Sequence, residues 1–157
     1  MKETDKLTQA LKEEKIRNWQ EFPDIMLYMD QVLSLMEDQI FFKEQQAPLS
    51  ASMVNNYVKG GLLPRAIKKK YHRGHLARLS MISVLKQVIS LKEMEVFFQE
   101  SPEDEKEFQD YCNKLHQSKE EVLKEIQEID SEDLVLHLIL KSYLYKIMAE
   151  ELLNHED

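Results

Sequence analysis

Lys68, Lys69 and Lys70 stand in a row, with Arg65 before them, Tyr71 directly after and Arg73 two residues further on. The chemistry that such a grouping serves is neutralisation of phosphates, with a steep dependence on salt. A second group lies upstream: Ser50, Ser52, Asn55, Asn56 and Lys59. Asn can pair in a bidentate way with adenine in the major groove. Serine hydroxyls, with the free amides of a helix N-terminus, suit phosphate oxygens. Tyr57 joins the candidate contacts, although its spacing groups it with Met53, Val54 and Val58 on the other side of a helix. Double-stranded DNA is the partner these residues imply.

The charge distribution supports the same reading. Residues 45–92 hold nine Lys or Arg and no Asp or Glu, in a chain with 21 of the former and 29 of the latter. The window carries +9; the remainder sets 12 cations against 29 acids and carries −17. A polyanion touching one part only would explain this asymmetry.

Catalysis has no such grouping. His72, His75, His116, His137 and His155 are scattered, no Ser/His/Asp or Cys/His arrangement shares a local frame, and no Gly-rich phosphate loop exists. No catalytic residue, metal or cofactor is expected, and the carboxylates of residues 93–133 read as solvated helix faces. Cys112 and His116 stand four apart on one helix, which makes a metal or thiol-sensing pair conceivable. A lone cysteine on an apolar seam reads first as a small core hydrophobe.

The elements that must position these groups are helical. Three Gly and four Pro in 157 residues leave little material for the turns of an all-β fold. One Cys excludes an intramolecular disulfide. No apolar run approaches a membrane span and the N-terminus has no signal-peptide core, so a soluble, cytoplasmic protein is expected, off the membrane.

Residues 1–20 read as a marginal helix along Leu7, Leu11 and Ile16. Pro23 opens a stronger one over 24–42, with Ile25, Met29, Val32, Met36 and Ile40 on a single stripe. Ser50 caps a short helix ending near Lys59, where Gly60 and Gly61 allow a left-handed turn. Residues 62–71 suit a tight β-hairpin or an extended loop. A helix over 72–88 follows, with Leu76, Leu79, Ile82, Leu85 and Ile89 inward. Ser90 to Glu93 is a capping box for another short helix, and Ser101, Pro102, Glu103 and Asp104 are a further start signal. Phe108, Cys112, Leu115, Lys119, Val122, Ile126 and Ile129 form a heptad seam, broken at Lys119. Asp130 and Ser131 end that helix and cap the last one, over 133–153. Leu136, Leu140, Tyr143, Leu144, Ile147 and Met148 give this last helix an apolar surface wider than one partner helix needs. A second subunit could cover it, or the helix at 24–42 of the same chain.

Leu49, Ser50 and the residues through Tyr57, then Val58, Lys59, Gly60, Gly61, Leu62, Leu63 and Pro64, resemble the recognition helix and following turn of the MerR family of transcriptional regulators. Tyr71, Leu76, Leu79 and Ile82 match its next helix in mutual spacing, and residues 89–94 the helix start after that. The departures are specific. Asn55 and Asn56 stand where MerR proteins usually show Arg and Tyr, and the wing is shorter, with a lysine of the run 68–70 in place of its customary Arg. A helix of some 18 residues is expected where MerR proteins have a short strand and a shorter helix.

A resemblance over nearly the whole chain rests on residues 27–32, 52–59, 68–71, 75–77, 85–88 and 107–112. It is to the uncharacterised bacterial family called domain of unknown function 1836, and it implies a bacterial cytoplasmic protein of transcription-factor character. The expected fold is mostly α: a MerR-like winged helix-turn-helix with an additional N-terminal helix and a C-terminal helical pair. Residues 1–22 are an arm, 23–100 the winged domain and 101–157 a dimerisation region. The expected function is DNA-binding regulation by a homodimer, with residues 50–59 in the major groove and a basic wing over 64–73 on phosphates. No small-molecule effector can be named. The competing reading is a helical adaptor whose basic patch meets an acidic protein.

Overall fold

A computed structural model describes residues 2–98, 104–130 and 132–155, and the chain is mostly helical. The helices are α1 Glu3–Glu13, α2 Met29–Met36, α3 Ala51–Lys59, α4 Arg73–Leu85, α5 Leu91–Phe97, α6 Asp104–Glu128 and α7 Leu134–Asn154. Strands β1 Leu27–Tyr28 and β2 Lys70–Tyr71 pair antiparallel, Leu27 opposite Tyr71 and Tyr28 opposite Lys70. No helix among the described residues is long and apolar enough to cross a membrane. The start signal at Ser101, Pro102 and Glu103 and the cap at Ser131 lie outside the described residues.

The apolar stripe of residues 24–42 does not run along one helix. Its first part is β1, whose backbone takes ladder partners from β2 rather than from the next turn. The Tyr28 amide is capped by the Gln31 side chain at 2.9 Å, and α2 is only 8 residues long. A single 3₁₀ turn, Glu37–Gln39, then brings the Gln39 side chain inside. Fully buried, Gln39 accepts from the Arg17 amide and donates to Ser80 Oγ, both at 2.9 Å. A buried amide must find such partners, and leaving the α-helical path is what lets it reach them. Ile25, counted on the stripe, is 67% exposed.

Two compact units are formed. The larger runs from Lys15 to Cys112; the smaller joins the chain up to Glu14 with the chain from Asn113 onward. In the larger, α4 is the central element, with every residue from Gly74 to Ser83 buried. Val32, Met36, Val54, Tyr57, Leu63, Tyr71, Met94 and Phe108 share its core. Arg78, on this buried helix, pairs with Glu107 at 3.0 Å and lies over the Phe98 ring, 4.0 Å from its centroid. In the smaller unit the only buried residues among those described are Leu123 and Leu134. The seam thus drifts from its expected course: Leu123 is inside and Val122 is 39% exposed. The polar break at Lys119 is resolved by a bond from its amine to the Glu14 carbonyl at 2.8 Å, just past the end of α1.

Candidate nucleic-acid interface

α3 is fixed at both ends by its own sequence. Ser50 Oγ accepts from the Met53 amide at 3.2 Å, so its hydroxyl proton remains available to an outside acceptor. At the other end Gly61 takes φ +77°, the Leu62 amide reaches back to Tyr57 O and the Gly61 amide to Val58 O, at 2.9 and 3.1 Å. This is the Schellman closure, and only glycine adopts its left-handed position without strain. Leu62, the residue after that glycine, is buried in the core. Val54 and Tyr57 face the core, while Ser52, Asn55, Asn56 and Lys59 are exposed on the opposite side. That face offers amide and hydroxyl groups with one cation and no carboxylate.

The hairpin supplies the second part. Ile67 and Lys70 exchange both backbone hydrogen bonds, at 2.9 and 3.0 Å, around a two-residue turn. Lys68 and Lys69, the turn residues, have φ +49° and +65°. Such a turn favours Asn and Gly, because a side chain with Cβ is strained there by roughly 1 kcal/mol or more per residue. Two lysines are nevertheless held at its apex, exposed. The Lys70 amine lies 5.1 Å from the centroid of the Tyr28 ring, which is itself 52% exposed.

Not every cation in the acid-free window is free. Arg73, expected on phosphates, donates from Nε and Nη2 to the Phe22 carbonyl at 3.2 and 3.0 Å and faces Asp24 at 3.6 Å. It ties the segment before β1 to α4, and its guanidinium is occupied. Tyr57 and Tyr71, also counted as contacts, are core residues, 4% and 5% exposed. Lys59, Arg65, Lys68 and Lys69, in contrast, are exposed and have no acidic partner among the described residues.

Sequence reasoning missed what braces the hairpin. His72 caps α4 by accepting the Gly74 amide at 2.9 Å, and His75 Nδ1 accepts the His72 amide at 3.1 Å. With Nδ1 accepting, the proton belongs on Nε2, which donates to the Arg65 carbonyl at 3.2 Å. Burial, and after it the neighbouring His72, hold the His75 imidazole below its ordinary range, in its neutral form. The packing around this cap is close: a Cβ on Gly74 would meet Asp104 Oδ2 at 2.5 Å. Spacing alone carried one usable signal, two histidines at positions that suit a reciprocal cap. Tyr28 and the 53%-exposed Ile67 carried none.

Cys112 is half-buried, and burial followed by the nearby Glu21 charge pushes its thiol up to about 11. A thiol so disposed is a poor nucleophile. No group of three or more His, Cys, Asp or Glu able to hold a metal occurs among the described residues.

A family model described as a domain of unknown function (DUF1836) matches residues 17–119, and the chain belongs to that family. No curated protein matches it. No solved structure does either.

Proposed function

We propose that this member of the DUF1836 family is a DNA-binding transcriptional regulator built on a MerR-like winged helix-turn-helix. The observation that carries the reading is the set of exposed cations without an acidic partner among the described residues, Lys59, Arg65, Lys68 and Lys69, beside an acid-free polar helix face in a chain of net charge −8. In this reading α3 lies in the major groove, Asn55 and Asn56 meet base edges, and Ser50, Ser52 and the first amides of α3 take phosphate oxygens. The hairpin apex lies along the backbone as a wing. The order of elements supports this: the two-residue β1 and the 8-residue α2 precede α3, in line with the short strand and shorter helix that the MerR resemblance implies.

The test is binding to duplex DNA, followed by fluorescence anisotropy across a salt series. Each phosphate contact should contribute a slope of about 0.9 in the logarithmic plot, so Lys68→Ala with Lys69→Ala should lower it by about two units for any sequence. Asn55→Ala should instead cost about 1–3 kcal/mol at one base position. Absence of binding at low salt, or an unchanged slope in the double variant, would sink the proposal. One feature favours the adaptor reading: Ile67 adds an exposed apolar anchor to the lysine apex, as protein interfaces require. Tight, salt-insensitive capture of an acidic protein, without DNA affinity, would decide for it.

A further inference from the structure

Helix α7 is apolar on most of its circumference, yet Leu134 is its only buried residue. Val135, Leu136, Ile139, Leu140, Tyr143, Leu144 and Met148 are each 51–69% exposed. Given the usual size of these side chains, they leave open roughly 800 Å², more than monomers usually expose in one patch and about what each partner gives a standard interface. The smaller unit also buries too little to be self-sufficient, with only Leu123 and Leu134 inside among its described residues.

The pattern of the face says what covers it. Val135, Ile139 and Tyr143 form one ridge in steps of four; Leu136, Leu140, Leu144 and Met148 form a second beside it. Two such ridges and the groove between them are what one helix needs to pack on another of the same pattern, crossing at about −50°. The match is to itself, as a two-fold interface demands. No carboxylate, amine or guanidinium belongs to either ridge, so the face offers nothing to a charged partner. Beside the ridges, Lys141 is engaged within the protomer by Glu125 at 2.9 Å, which the His137 ring also meets at 2.6 Å, and Lys146 is paired with Glu150.

We infer that this face of α7 is the two-fold interface with a second copy of the chain. The interface stands whether or not the larger unit binds DNA. Light scattering of the full chain at micromolar concentration should give twice 18.7 kDa. Leu140→Glu combined with Leu144→Glu should return it to the monomer mass with its helical circular dichroism unchanged, because both side chains are already exposed in the protomer. A monomeric wild type overturns the inference, and so does a double variant that remains dimeric. Should the variant lose helix, hydrogen exchange of the wild type across a dilution series decides. Protection of the α7 amides must then fall as the dimer dissociates, and protection independent of concentration overturns the assignment.

Discussion

His75 joins the start of α4 to the segment entering the hairpin through its Nε2–H, and only while neutral can its Nδ1 also accept the His72 amide. Its pKa is held below the ordinary 6.5, first by burial and then by His72. The unfolded chain therefore binds this proton more readily than the folded one. The stability it contributes is present above about pH 6.5 and is lost as pH falls through the folded value. The urea midpoint should accordingly drop between about pH 7.5 and pH 5.5 in wild type, and less steeply in His75→Gln. Glu107, whose carboxyl burial pushes up despite Arg78, titrates in both proteins and cancels from the comparison. Parallel pH slopes would remove His75 from the account. Cys112 makes a second case. With its thiol at about 11, it should react with Ellman's reagent at pH 8 roughly two orders of magnitude more slowly than in the urea-unfolded chain. Equal rates would restore it as a candidate sensor. Little at this scale is legible in sequence. Arg73 and Lys69 read as equal cations in one basic window, and only tertiary contacts with Phe22 and Asp24 separate the bound one from the free one.

Among the elements, α3 and the hairpin differ in how openly their sequences declare them. Ser50, Gly60 and Gly61 mark the limits of α3 by local chemistry, a cap and a left-handed turn, so its boundaries can be read directly. The hairpin turn carries none of its usual signals, since Lys68 and Lys69 occupy positions that favour Asn and Gly. The helix expected over 24–42 failed for a related reason. An apolar repeat describes which side chains go inside, but β1 is decided by its pairing with β2, and the departure from α2 by what Gln39 finds to bond. The hairpin's own choice can be tested by reversing it. Lys68→Asn with Lys69→Gly should relieve the turn and stabilise the fold by about 1 kcal/mol. The same change should lower the salt slope of DNA binding by about two units. A variant that gains stability and keeps its affinity would mean that the lysines hold no phosphate.

For the whole molecule, the balance of charge and the proposed two-fold axis act together. The −17 carried outside residues 45–92 would repel DNA, so in the proposed function contact is confined to the basic segment, and one copy of that segment is a small footprint. A dimer supplies two. Regulators that present two recognition helices read half-sites about 34 Å apart or a multiple of it, which makes a palindromic target the natural partner of a two-fold protein. The second half-site is then engaged within the same complex, and avidity of this kind is worth on the order of 10²–10⁴ in affinity. Leu140→Glu with Leu144→Glu should therefore bind an isolated half-site as wild type does, with the same salt slope per protomer. On a duplex carrying both half-sites it should lose that factor. Anisotropy titrations on the two duplexes, with stoichiometry from light scattering, separate the outcomes. Equal loss on both would mean that the substitutions reach the larger unit itself. No loss on either would mean that each copy reads its target alone, and that the dimer serves a purpose other than recognition.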